Sequence, residues 1–234
     1  MASASGASPR DIEDGMDDPL RLSELVSSRF GHDISGLLGT LTGALELALE
    51  GAGAPSDALP AAVEAVTELN LRLQLLREAW AGNGAGLDLS QLDALARGLP
   101  GAHRLDLDLS ALPAATVLPP RMARIVLNVL LLAAESLPRG GVIALAAADG
   151  SDILVTIIGL RAAWPAGFAA CLADEDAAWA ALSGPRDLLA PLVALLSRRL
   201  AVSVSLLLSS GSLPARRGRR ISAPPLLLSP DKTR

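Results

Sequence analysis

Two long stretches of apolar residues at helical spacing, separated by a short break, constrain this chain more than any other feature. From Leu20 to Glu50 apolar residues recur every three or four positions, which is the pattern of an amphipathic helix. The segment GAGAPSDA from Gly51 interrupts the pattern, and Ser56 or Asp57 can cap a second helix that runs to about Trp80. We therefore expect two helices joined as an antiparallel hairpin.

The apolar stripes of the two helices are too extensive for one hairpin to cover. In the first helix the stripe comprises Val26, Phe30, Ile34, Leu37, Leu38, Leu41, Leu45 and Ala48. In the second it comprises Val63, Val66, Leu69, Leu73, Leu76 and Trp80, with the alternating steps of a two-helix seam. Pairing with a second copy into a four-helix bundle would bury both stripes, so we expect a homodimer.

Beyond the Gly-rich segment Gly82–Gly86 the pattern changes from helical to mixed. Strand-like runs are His103–Leu109, Val142–Ala148, Ile153–Ile158 and Val202–Leu208, the middle two joined by an Asp149-Gly150 turn. Helices are expected near Ser90–Arg97, over Pro120–Leu137 and over Arg186–Leu200, while Trp164–Ala181 is ambiguous. This alternation indicates an α/β layer structure with a mixed or antiparallel sheet. The expected division is a disordered leader (1–19), a helical hairpin (20–81), an α/β domain (87–228) and a short tail (229–234).

The amino-acid composition argues against some classes of partner and indicates a location in the cell. The net charge is −5, and aromatic residues, which stack on bases, number only two Phe and three Trp, so nucleic acid is an unfavourable partner. Every apolar stretch is shorter than the roughly 18 residues that a membrane span needs. With no secretory signal at the N-terminus and a single cysteine, Cys171, which excludes an internal disulfide and a Cys-based zinc site, we expect a cytoplasmic protein.

His32 is the residue of greatest chemical interest on the first helix. At about 100° per residue it lies opposite the apolar stripe and faces water, surrounded by small residues: Ser28, Ser35, Gly36, Gly39 and Gly43. Glycine within a helix costs about 1 kcal/mol relative to alanine, so this face suits the close approach of another protein. The alternative is that His32 is an ordinary solvated residue and that the glycines reflect a chain rich in Ala and Gly.

The sequence around His32 supports the first interpretation. The segment RFGHDISGLLGTLTGALEL, from Arg29 to Leu47, resembles the phosphoacceptor box of histidine kinases. It is more similar to that of the ChpT family of bacterial histidine phosphotransferases, in which Arg-x-x-His-Asp opens the motif and Leu-Glu-Leu closes it. It departs from the family at Leu37, where proline is usual, and at Gly31, where cysteine is frequent.

The resemblance implies a role for three residues. His32 would be the phosphoacceptor, whose neutral imidazole nitrogen attacks phosphorus in line. Asp33 would orient the other ring nitrogen or hold its proton, and Arg29, one turn earlier, would steady the phosphoryl charge.

The second half of the chain resembles a kinase ATP-binding domain that has lost its nucleotide site. The segment from Arg124 to Gly141 resembles the N-box helix, with Asn128 as its first asparagine but Leu132 where a second would bind magnesium. The segment Thr156–Trp164 lacks the Asp-x-Gly-x-Gly motif that holds adenine. The expected fold is therefore α+β, a dimeric helical hairpin followed by a degenerate histidine-kinase-type ATPase-like sandwich. No cofactor is expected on this chain, and magnesium would be supplied by the partner.

By this resemblance the chain would carry a phosphoryl group from the receiver domain of a hybrid histidine kinase to the receiver domains of response regulators. A non-catalytic dimeric adaptor that docks receivers is the alternative. An active ATP-dependent kinase conflicts with Leu132. His103 is interpreted as a surface residue, and the arginines from Arg216 to Arg220 as a solvated hairpin tip or a docking patch for acidic receiver surfaces.

Overall fold

The N-terminal part of the chain is a hairpin of two long helices. The computed structural model describes residues 9–49, 58–81, 86–207 and 221–231. Helix α1 spans Pro9–Leu49, and helix α2 spans Ala58–Leu76 and continues into a π-helical turn, Arg77–Ala81. The helices pack against each other, as the sequence predicted. The prediction of a disordered leader over residues 1–19 is wrong from Pro9 onward, because α1 begins at that residue. Proline is tolerated in the first turn of a helix.

The hairpin buries several small residues. Ala44 on α1 and Ala62 and Ala65 on α2 are buried, and the two helices contact each other. Several of the predicted stripe residues are exposed, among them Phe30, Leu38, Leu45, Val63 and Val66. This agrees with the expectation that one hairpin cannot cover both stripes, and the hairpin presents an uncovered apolar face.

The C-terminal part is an α/β sandwich. Its helices are α3 (Leu89–Ala96), α4 (Pro120–Glu135), α5 (Phe168–Ala173), α6 (Glu175–Ala180) and α7 (Leu189–Leu200). Its strands are β1 (Leu87–Asp88), β2 (Leu105–Ala111), β3 (Val117–Leu118), β4 (Gly141–Ala147), β5 (Ile153–Gly159), β6 (Val202–Leu206), β7 (Ile221–Ser222) and β8 (Leu226–Pro230). Short 3-10 turns lie at Ala102–Arg104 and Pro185–Asp187. The predicted fold class, a helical hairpin followed by an ATPase-like α/β sandwich, is confirmed, while the dimeric bundle remains a prediction.

The main sheet is mixed, with the strand order β2-β4-β5-β8-β6. Strands β2 and β4 are parallel, and the other neighbours on this path are antiparallel. The predicted hairpin is present as β4 and β5, with Gly150 of its turn at a φ of +67°, a conformation that favours glycine. Strand β7 pairs with β5 beside this path.

Strand β8 was not predicted, although it occupies an interior position of the sheet. It pairs with β5 on one side and with β6 on the other, where Ser229 lies opposite Ser203 and Pro230 opposite Val202. The expected tail from residue 229 is therefore wrong at its start, because the sheet extends to Pro230. The arginine cluster from Arg216 to Arg220 lies outside the described residues.

Helix α4 is the centre of the core. Every residue from Ile125 to Ala134 is buried, which requires protein on all sides of the helix. One side contacts α7 and the sheet strand β6, and another contacts the π-helical turn after α2. The C-terminal end of α4 thereby comes to lie beside α1, where Glu135 contacts Arg29. No helix among the described residues has the combination of length and apolarity needed to cross a bilayer.

Candidate functional site

His32 lies at an open groove between α1 and the α/β domain. The groove has a volume of about 600 Å³, and its lining comprises Ser28, Arg29, His32, Asp33, Glu135 and the segment 184–187. The side chain of His32 is 71% exposed, as predicted from the helical wheel. A Cβ added at Gly36 or Gly39, farther along α1, would meet no atom within 4 Å, so the surface beside the ring is open.

The carboxylate of Asp33 lies against the His32 ring. The distance from Nδ1 of His32 to Oδ1 of Asp33 is 3.4 Å, and the Asp33 side chain is only 11% exposed. A contact of this length is long for a hydrogen bond, but such contacts at unliganded sites often tighten when the reactants bind. With Nδ1 directed at the carboxylate, Nε2 is the ring nitrogen left for a reaction partner.

Arg29 is buried, and each of its three guanidinium nitrogens contacts a protein acceptor. Its Nε lies 3.1 Å from both carboxylate oxygens of Asp33, and one terminal nitrogen donates to the carbonyl oxygen of Pro185 at 3.1 Å. The other terminal nitrogen binds the carboxylate of Glu135. Burial alone would lower the pKa of the Arg29 guanidinium, but the Glu135 and Asp33 carboxylates together raise the pKa above its ordinary value.

Arg72 is a second buried arginine near this site, and the sequence analysis did not identify it. Its Nε donates to the carbonyl oxygen of Gly98, and a terminal nitrogen lies 3.8 Å from Glu68. Burial lowers the pKa of Arg72, while the nearby Asp33 and Glu68 carboxylates oppose that change. Asp33 therefore lies in the positive field of two buried arginines, one from each helix of the hairpin.

Asn128 has a structural role in this chain. Asn128 is completely buried, and its amide nitrogen donates to the carbonyl oxygens of Ala79 at 3.0 Å and Arg124 at 2.9 Å. Its side-chain oxygen accepts from Nε1 of Trp80 at 3.2 Å. Leu132, one turn later on α4, is also buried. These residues do not fit a nucleotide-bound magnesium ion, because the amide is occupied and leucine offers no oxygen ligand.

The remaining reactive residues lie apart from the groove. His103 is exposed in the 3-10 turn before β2, as predicted for a surface residue. Cys171 is buried in α5, and burial raises the pKa of its thiol. Within the described ranges no group of three or more His, Cys, Asp or Glu residues could hold a metal ion.

Comparison with known proteins agrees with this architecture. Residues 89–210 match the family model of the histidine phosphotransferase C-terminal domain. The chain is 32% identical over 134 residues to protein phosphotransferase ChpT of Brucella abortus (strain 2308), which covers 57% of this chain and 63% of that protein. The match therefore spans less than two thirds of that relative. A solved structure of a bacterial phosphotransferase superposes with a TM-score of 0.66 and 21% identity over 97% of this chain and 98% of that one.

The helical hairpin, the α/β sandwich and the exposed histidine on α1 define the class of bacterial histidine phosphotransferase folds. The family match covers more than half of the chain. The protein belongs to the histidine phosphotransferase family, and its similarity to ChpT agrees with the resemblance inferred from the sequence.

Proposed function

We propose that this protein is the histidine phosphotransferase of a phosphorelay, with His32 as the phosphoacceptor. The observation that carries the proposal is the exposure of His32 at an open groove while its Nδ1 faces a buried carboxylate. This arrangement resembles the pairing of a histidine with an orienting aspartate in hydrolytic enzymes. Membership of the family supports the same chemistry.

The proposed reaction is a reversible transfer between an aspartate and a histidine. Nε2 of His32 attacks the phosphorus of an aspartyl phosphate in line, the P–N bond forms, and the P–O bond to the aspartyl carboxylate breaks. The donor carboxylate leaves as an anion. The ring keeps its proton on Nδ1 and gains positive charge, which the Asp33 carboxylate stabilises at 3.4 Å. Donation to a second aspartate reverses these steps.

The proposed partners are receiver domains, first that of a hybrid histidine kinase and then those of response regulators. The flat glycine face of α1 would allow a receiver to approach His32 closely. Arg186 lies exposed at the groove and would meet the acidic residues of a receiver pocket. The receiver would supply the magnesium ion, and this chain would need no cofactor of its own. A cytoplasmic location stays a prediction.

We further propose that two copies pair through the hairpin. The exposed side chains of Phe30, Leu38 and Leu45 on α1 and of Val63 and Val66 on α2 form an apolar face. An adjoining groove of about 700 Å³ is lined by side chains that include Val26, Phe30, Leu73, Leu76 and Trp80. A second hairpin would cover this face and complete a four-helix bundle.

A non-catalytic adaptor that docks receiver domains is the alternative. The apolar face and the groove would serve an adaptor equally well, because neither feature requires phosphorus chemistry. The buried carboxylate on Nδ1 favours phosphotransfer, since an adaptor would gain nothing from orienting an exposed imidazole.

The test uses the full chain and receiver domains encoded in the same genome, each loaded with labelled phosphoryl from acetyl phosphate and magnesium. We expect label to appear on the wild-type chain and on the His103→Ala variant, and none on the His32→Ala variant. His103 is a suitable control because it is the only other histidine and is exposed. The same proteins incubated with labelled ATP should remain unlabelled.

Two results would contradict the proposal. Binding of receivers by both variants without any labelling of the wild-type chain would favour the adaptor. Labelling from ATP would indicate an autokinase despite Leu132.

A further inference from the structure

Arg29 connects the phosphoacceptor helix to the α/β domain through one guanidinium group. Nε binds Asp33 on α1 itself, one terminal nitrogen binds the Pro185 carbonyl oxygen at 3.1 Å, and the other binds the Glu135 carboxylate. Pro185 begins the 3-10 turn before α7, and Glu135 ends α4. Three different elements therefore meet at a single side chain.

We propose that Arg29 is a positioning residue, through which Glu135 and Pro185 of the α/β domain hold the Asp33 carboxylate against Nδ1 of His32. The inference rests on the proposed phosphotransfer at His32. It gives the α/β domain a task in the reaction although the domain binds no nucleotide in our proposal.

Asp33 needs this support because of its place on the helix. Adjacent residues on a helix point about 100° apart and do not ordinarily face each other. Arg29, four residues earlier and on the same side as Asp33, takes both carboxylate oxygens at 3.1 Å. The carboxylate is thereby fixed with Oδ1 shared between Arg29 and the His32 ring.

Arg29 in turn needs the α/β domain. A free arginine side chain on a helix samples many rotamers, and ordering it costs conformational entropy. Glu135 and Pro185 offset that cost with one charged and one neutral hydrogen bond, and the Arg29 side chain is only 10% exposed. Without these two partners the guanidinium would turn toward water and release Asp33.

The position of the Asp33 carboxylate would determine which tautomer of His32 is favoured. A carboxylate that accepts a hydrogen bond from Nδ1 requires the Nδ1–H tautomer. The lone pair is then on Nε2, which is the nitrogen that attacks phosphorus. Free histidine favours the opposite tautomer. Arg29 would therefore increase the fraction of His32 that is ready to react.

A direct contact between Arg29 and the transferred phosphoryl group is the competing role, and it was our expectation from the sequence. All three guanidinium nitrogens already have protein acceptors. The two roles differ in a measurable way, because a phosphoryl-binding arginine would not influence the tautomer of the unphosphorylated ring.

The experiment measures the tautomer and the transfer rate separately. Full chain with 15N-labelled histidine, in the His103→Ala background, gives the His32 tautomer from long-range 1H–15N couplings before any phosphoryl is added. The variants are Arg29→Lys, which keeps the charge but replaces the three-nitrogen guanidinium with a single ammonium group, and Glu135→Gln, which keeps the shape but removes the charge. Asp93→Asn is the matched control. It weakens an exposed ion pair, in which the Asp93 carboxylate lies 3.0 Å from the Arg97 guanidinium, and this pair is not part of the groove.

We expect the wild-type chain and the control to hold the Nδ1–H tautomer, and both variants to shift toward Nε2–H. The first-order transfer rate should fall roughly tenfold in the variants, with the KM for phosphorylated receiver within about twofold of wild type. If Arg29→Lys does not fold, Glu135→Gln decides the matter alone.

An unchanged tautomer in the variants would overturn the proposal, whether or not the rate falls. A rate loss without a tautomer shift would assign Arg29 to the phosphoryl group or to stability. Failure of the phosphotransfer proposal is a separate result, seen as a wild-type chain that takes no label from phosphorylated receiver or as label on the His32→Ala variant, whereas the tautomer is measured without transfer.

Discussion

Nε1 of Trp80 donates a hydrogen bond to the side-chain oxygen of Asn128 at 3.2 Å. The contact joins the π-helical turn after α2 to the centre of α4, and the Asn128 amide adds a bond to the Ala79 carbonyl oxygen. The Asn128 side chain thus joins the helical hairpin to the α/β domain.

We predict that Asn128→Ala destabilises the protein. The change would leave the Ala79 carbonyl oxygen with fewer donors and the Trp80 indole without its acceptor, at a cost of about 2–3 kcal/mol. Thermal unfolding should show a Tm lower by roughly 5–10 °C. Asp93→Asn, on the exposed surface, should leave the Tm within about 2 °C; equal melting of both variants would show that the Asn128 contacts contribute little.

Gly36→Ala combined with Gly39→Ala should stabilise the chain and impair its reaction. Each alanine adds up to about 1 kcal/mol of helix stability, and neither new Cβ meets an atom within 4 Å in this chain. On a docked receiver the same methyl groups would intrude, so the KM should rise at least about threefold.

Ser23→Ala is the control for the glycine pair. It raises helix propensity on α1 at an exposed position on the side of the helix opposite the glycines, so the Tm should rise without a change in KM. If the glycine variant transfers as well as wild type, the glycines serve no docking function.

Leu45→Glu should separate the proposed dimer. Leu45 is exposed in the single chain, and by symmetry two copies would be buried at the interface, worth about 1.5–3 kcal/mol each. Their loss should weaken dimerisation at least about 100-fold, measured by light scattering or sedimentation over a concentration series. The neighbouring Glu46→Lys, turned by about 100°, should keep the wild-type assembly; a Leu45→Glu variant that also keeps it would count against the bundle.

Arg186→Ala should raise the KM for phosphorylated receiver about threefold at low salt and reduce its salt dependence, because the lost charge steers an acidic partner. The measurement is the transfer rate over a range of receiver and salt concentrations. Arg139→Ala removes another exposed arginine, from the turn before β4, and should change neither quantity. Equal behaviour of the two variants would remove Arg186 from the docking surface.

Local periodicity was sufficient to predict the hairpin, α4 and the β4–β5 pair, and insufficient at two places. Helix α1 extends back to Pro9 through residues with no apolar stripe, so hydrophobic periodicity did not indicate this first part of the helix. Strand β8 is bounded by Pro224, Pro225 and Pro230, and prolines argue against an interior strand. Only its pairing with β5 and β6, which is a tertiary property, specifies it.

The candidate site likewise has features that the sequence predicts and features that it does not. His32 and its exposure followed from the helical wheel, because that property depends on one helix. The burial of Arg29 depends on Glu135, which is 106 positions away along the chain, and on Pro185, which is 156 positions away. Only the contact between Arg29 and Asp33 could be predicted locally, because oppositely charged residues four positions apart on one helix are neighbours.

The interior place of β8 also affects how the protein is made. Strands β5 and β6 cannot be bridged until Leu226–Pro230 has left the ribosome, whereas the helical hairpin depends on local contacts and can form much earlier. During that interval two hydrophobic strands present open edges, which are templates for aggregation. A nascent chain stalled or cleaved before residue 226 would therefore carry a complete helical hairpin beside an incomplete sheet.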